Sequence, residues 1–121
     1  MSHILTLLNE MRGRLGMYVG ESSLTKLAAF LRGFDHAIHQ LRPEEDDRFL
    51  VQFRDWIHHR FQTTRHSWED TIVLQSKNEA DAVKQFWKLF DEYVAKREES
   101  IAVTNGTLDV PPRNPQQPTT A

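Results

Sequence analysis

The stretch 23-SLTKLAAFLRGFDHAIHQL-41 constrains the fold more than any other. Leu24, Leu27, Ala28, Leu31, Phe34, Ile38 and Leu41 recur at helical spacing as one stripe, and Phe30 and Ala37 widen it. A helix with so broad an apolar face is stable in water only when several neighbours cover it. Ser22 is the expected N-cap, its hydroxyl accepting a free backbone N–H of the first turn. Arg42-Pro43 ends the helix, because a residue before proline is pushed out of the α region.

The neighbours are legible in the same way. Ile4, Leu5, Leu7, Leu8 and Met11 mark a short helix over residues 3–12. Phe49, Leu50, Phe53, Trp56, Ile57 and Phe61 mark a helix over 45–61, with Glu44, Glu45, Asp46 and Asp47 suited to its electropositive start. Ser67 and Asp70 fit a capping pattern before Trp68, Ile72 and Val73. The run 71-TIVL-74 also suits a strand, but a lone strand has no partner, so a short helix is expected. Ser76 and Glu79 suggest a second capping box. Val83, Phe86, Leu89, Phe90, Tyr93 and Val94 come next, on one face of a helix over 78–97. From Glu98 the pattern fades into a segment rich in Pro, Thr and Gln, with the composition of a flexible tail. The expectation is an all-α fold: a compact bundle of four to five helices over residues 1–97, with a disordered C-terminal tail over 98–121.

Composition narrows function mainly by exclusion. The chain has 121 residues, the size of one domain, and no cysteine, so neither a disulfide framework nor a thiolate metal site is available. There is no leader-like N-terminus, and no apolar run nears the roughly 20 residues that span a bilayer. A cytoplasmic protein without membrane contact is expected. The net charge of −2 hides an acidic middle. Residues 43–75 hold four basic and seven acidic residues. No segment has the basic stripe of a nucleic-acid binder.

The stretch 14-RLGMYVG-20 invites a phosphate-binding reading. It resembles the R-P-G-M-Y-I-G segment of the ATPase domain of DNA gyrase and its relatives. That resemblance implies a nucleotide site, with a metal-binding Asn in the next helix. His36 stands at that place, Leu15 replaces the proline, and the later D-x-G-x-G motif is absent. A structural reading accounts for each residue. Gly13 and Gly16 let the chain leave the first helix. Met17, Tyr18 and Val19 tuck beneath the long helix, Gly20 turns the chain, and Ser22 caps the long helix.

The remaining candidates favour binding over catalysis. His36 and His39 share a helix face at i, i+3, a spacing that suits one metal, with His58 or His59 and Asp35 or Asp55 as further ligands. No H-E-x-x-H motif supports this, and scattered surface histidines are the simpler reading. Ser22, Ser23 and Ser67 have uses as caps, and none lies in G-x-S-x-G. No catalytic residue, metal site or cofactor is therefore assigned. Glu44, Glu45, Asp46 and Asp47, together with Trp68, Glu69 and Asp70, are the expected partner-binding residues, because an exposed aromatic beside carboxylates suits a basic protein.

A wider pattern joins these pieces. The line 14-RLGMYVGESSLTKLAAFLRGFDHAI-38, the step 67-SWEDTI-72 and the closing helix 79-EADAVKQFWKLFDEYV-94 resemble small α-helical proteins of bacterial polymorphic-toxin loci. Such proteins stand beside Rhs-type or contact-dependent toxins and are regarded as immunity proteins. The resemblance implies a non-catalytic inhibitor whose partner is the cognate toxin's C-terminal domain. The alternatives are a small nucleotide- or metal-binding enzyme using the 14–20 loop, or an adaptor subunit of a helical assembly.

Overall fold

The computed structural model describes the backbone of residues 2–109 and the side chains of residues 2–100. Among the described residues six α-helices succeed one another: α1 (His3–Met11), α2 (Leu15–Val19), α3 (Leu24–Leu41), α4 (Phe49–Phe61), α5 (Trp68–Val73) and α6 (Glu79–Asp109). A single 3-10 turn, Pro43–Glu45, lies between α3 and α4. There is no strand among the described residues, so the fold is all-α and 71-TIVL-74 lies largely within α5. By contact, the chain falls into two units, residues 1–88 and 89–121. The candidate residues all lie in the first.

The interior of the first unit is built from the predicted stripes. Ile4, Leu8 and Met11 of α1, Leu24, Leu27 and Leu31 of α3, Phe49, Phe53 and Ile57 of α4, and Ile72 of α5 are all essentially inaccessible. Three rings join α4, α5 and the start of α6. Phe53 meets Trp68 edge-on with centroids 5.4 Å apart, and Phe86 lies 5.7 Å from each. Such contacts add roughly 0.5–1.5 kcal/mol per pair to the burial of the rings.

The helix ends show where local chemistry departs from expectation. Ser23, not Ser22, caps α3, its Oγ accepting from Lys26 N. Ser22 is exposed. Asn78 serves α6 in place of Ser76, its Oδ1 accepting from Asp81 N at 2.9 Å. The Ser76 hydroxyl instead donates to the Ile72 carbonyl. Glu79 is freed to reach another helix: its Oε1 accepts from Ser23 Oγ and Thr25 N, and its Oε2 from Thr25 Oγ1. A carboxylate at the start of α3 complements both the free amides and the dipole there. Ser67 caps α5 as expected.

Helix α6 runs to Asp109, past Glu98 where the apolar pattern fades. No proline interrupts 98-EESIAVTNGTLD-109, so nothing there removes a helical N–H. Residues 110–121, the rest of the expected tail, lie outside the described residues.

Candidate functional site

The acidic run between α3 and α4 divides into a buried anchor and an exposed rim. Leu41 ends α3 and is 75% exposed. Pro43 opens the 3-10 turn, its fixed φ suited to that position. Asp46 then takes a left-handed conformation, φ 44°, which an aspartate tolerates better than most residues. That reversal swings Asp47 inward.

The Asp47 carboxylate holds two helix starts at once. Its Oδ2 accepts from His3 N at 2.9 Å and Ile4 N at 3.2 Å, at the head of α1. Its Oδ1 accepts from Phe49 N at 3.1 Å, at the head of α4. The Ser2 hydroxyl donates to the same carboxylate, while Ser2 Oγ accepts from Leu5 N as the cap of α1. Burial pushes the carboxyl up, but the bonds from Phe49, Ile4, Ser2 and His3 outweigh it and hold Asp47 below the ordinary aspartate range. Asp47 thus turns its carboxylate inward. It is 9% exposed and serves the fold.

Glu44, Glu45 and Asp46 remain at the surface. The His3 ring lies 2.5 Å from Glu45 Oε1. Arg42 approaches Glu45, and Arg48 approaches Asp46, each at 4.0 Å. This is a carboxylate rim on a turn whose base is tied down by Asp47. Beside it, a cleft of 440 Å³ is lined by Ser2, His3, Leu7, Glu10, Phe34 and Glu45.

The second expected corner is mostly core. Trp68 is 3% exposed and packed on Phe53 and Phe86, because the cap at Ser67 turns the first residue of α5 inward. Glu69 is 6% exposed and paired with the Arg32 guanidinium at 2.5 Å. Burial raises the Glu69 carboxyl, but the hydrogen bond and charge of Arg32, with bonds from the Glu69 amide and Ser67, together outweigh it and leave the carboxyl below its ordinary value. Of this trio only Asp70 faces solvent.

The glycine-rich stretch is a short helix rather than an open loop. Gly16 sits inside α2, and only Gly13 and Gly20 take positive φ, at 83° and 89°. Gly20 closes α2, its N–H donating to the Gly16 carbonyl. Of Met17, Tyr18 and Val19, expected beneath α3, only Val19 is half-buried. Leu15 is buried, whereas Met17 is 81% and Tyr18 37% exposed. One helical turn cannot point residues 15 and 17 to the same side. Tyr18 lies against Phe30 with ring centroids 6.2 Å apart.

His39 Nδ1 lies 2.8 Å from the Asp35 carbonyl, while His36 is exposed. His58 bonds the His66 carbonyl and, with His59 and Asp55, lines an open hollow at the end of α4. Among the described residues, no three His, Asp or Glu side chains stand where they could share a metal ion. No helix among them is long and apolar enough to cross a membrane.

No protein-family model, curated protein or solved structure matches the chain. Two roles escape the sequence reading. The inward role of Asp47 is masked by three neighbouring carboxylates. Ser2 as cap of α1 has a readable signal, since it directly precedes the first periodic residues.

Proposed function

We propose that the chain is a non-catalytic binding protein of the cytoplasm that neutralises a cognate bacterial toxin domain. One observation carries this reading: the exposed Leu41 ends α3 just before the Glu44–Asp46 rim, and the turn bearing that rim is fixed from below by Asp47. A turn already held in place loses little freedom when a partner binds. Carboxylates at its edge speed encounter with a basic surface and set its orientation, while the leucine supplies apolar area. The resemblance to immunity proteins names the kind of partner, a toxin C-terminal domain, and the acidic rim favours one whose active surface is basic.

The test is calorimetric titration against the C-terminal domain encoded by the neighbouring toxin gene, with a non-cognate domain as control. A tight one-to-one complex that abolishes toxin activity is the expected result. No heat with the cognate domain would overturn the proposal.

A further inference from the structure

Three imidazoles are set among the carboxylates around the α3–α4 turn. His3, at the head of α1, places Nε2 2.5 Å from Glu45 Oε1. His39, in the last turn of α3, places Nδ1 2.8 Å from the Asp35 carbonyl and 3.4 Å from Asp35 Oδ1. That Oδ1 is buried and has no hydrogen-bond partner. His36 is exposed on the same helix, and its charge also acts on Asp35. The two close contacts fix where a proton goes. A carbonyl or an ionised carboxylate only accepts, so the facing nitrogen carries the hydrogen of the neutral ring. An added proton therefore lands on Nδ1 of His3 and on Nε2 of His39, and neither contact has to break.

The charges facing these rings come from several elements. Over residues 35–48 five carboxylates accompany two guanidinium groups. Asp35 lies on α3 and the other four on the turn, where Asp46 and Asp47 act on His39. Arg42 stands 4.0 Å from Glu45, and Arg48 4.0 Å from Asp46. Glu10 of α1 lines the same cleft as His3 and Glu45. Arg32, one turn before His36, is engaged by Glu69 of α5. The bond to the Asp35 carbonyl, with the charges of Asp35, Asp46 and Asp47, outweighs burial and holds His39 above the ordinary imidazole value.

From this arrangement we infer that the acidic turn is a proton-gated surface: its negative charge is displayed at neutral pH and cancelled in mild acid by His3, His36 and His39. Residues 35–48 hold three more carboxylates than guanidinium groups, and the three imidazoles match that excess. Imidazole is the side chain whose charge ordinarily changes between pH 5 and 8. The consequence rests on the toxin-binding reading: a basic partner is held at neutral pH and released as the pH falls. The gate itself is measured without the partner.

The experiment is carboxyl-detected NMR of the full chain, titrated from pH 8 to 5. The carboxyl carbons of Glu45 and Asp35 should each show an inflection where imidazoles titrate, besides their own. The Glu45 inflection should vanish in His3→Gln, and the Asp35 inflection in His39→Gln. Thermal melts give a second readout. A raised imidazole stabilises the fold below its unfolded value, about 6.5, and loses that effect as pH rises through the folded one. His39→Gln should therefore fall further below wild type at pH 5.5 than at pH 8. With the cognate toxin domain at low salt, association should slow at least about threefold from pH 7.5 to 5.5. His3→Gln, His36→Gln and His39→Gln combined should lose most of that dependence. Carboxyl inflections that are absent, or an association profile unchanged in the combined variant, would overturn the gate. No toxin binding at any pH, with the inflections present, would overturn the toxin reading and support the gate alone.

Discussion

At the scale of single residues, two aspartates in the same unit behave oppositely, and the difference is the supply of donors. Asp47 receives three backbone N–H groups and a hydroxyl, and its carboxyl sits below the ordinary range. Asp35 has a buried Oδ1 with no hydrogen-bond partner, and burial raises its carboxyl despite the nearby His39. The stability consequences have opposite sign. A lowered carboxyl binds fewer protons folded than unfolded, so its stabilisation is present above the unfolded value, about 3.9, and drains as pH falls through the folded one. Asp47→Ala strands the amides of two helix starts and should cost about 2–4 kcal/mol at pH 7. The gap from wild type in urea midpoint should shrink below about pH 4; a gap independent of pH would contradict the ionic role. For Asp35 the folded value is raised, so stability is lost as pH rises through it. Asp35→Asn should therefore melt slightly higher than wild type at pH 7 and lose that advantage in acid. A lower melt at pH 7 would show that the carboxylate is stabilised by contacts other than those described.

At the scale of elements, helix existence is legible in the sequence, while the starts of α3 and α6 are not. Periodicity locates α1, α3, α4 and α6 because their buried faces repeat over several turns, and the Ser67 cap marks α5 as helix. The ends turn on one side chain each, and neighbouring candidates look alike in sequence. Ser22 and Ser23 are equivalent as letters, but only Ser23 also meets Glu79, a residue 56 positions away. At α6 the cap is Asn78 and not Ser76, and Glu79 bonds Thr25 of α3 instead of closing a capping box. Short α2 carries too few apolar residues to reveal its phase, so nothing in the letters tells Met17 from Leu15 as the inward residue. These readings separate by substitution. Ser23→Ala should cost about 1 kcal/mol and Ser22→Ala almost nothing. Gly20→Ala, at φ 89°, should cost about 1 kcal/mol from the left-handed backbone, while Gly16→Ala, helical and uncrowded, should be neutral or slightly stabilising. Thermal melts of the four variants decide the matter, and equal effects at 16 and 20 would refute the α2 assignment.

At the scale of the molecule, the sequence shows which residue types a binding face needs but not which way they point. Of seven expected contact residues, Glu44, Glu45, Asp46 and Asp70 face water, while Asp47, Trp68 and Glu69 are taken up by the fold. Each of the three is buried by a partner distant in sequence: the start of α1, the Phe53–Phe86 rings and Arg32. On the proposed reading, stability and recognition reside in different members of what reads as one acidic, aromatic set, and substitution should divide them cleanly. Trp68→Ala removes a core ring and should lower stability by about 3–5 kcal/mol. It should leave the association rate of the remaining folded protein with the proposed toxin partner near wild type. Glu44→Lys with Asp46→Lys changes only the exposed rim, so the melt should move little. Association should slow by about tenfold at low salt, the deficit shrinking as salt screens the rim. Stopped-flow association at two ionic strengths, beside a thermal melt of each variant, provides the comparison. If reversing the rim leaves the association rate unchanged at low salt, the acidic turn is not where the partner lands, and the exposed Asp70 becomes the next position to reverse.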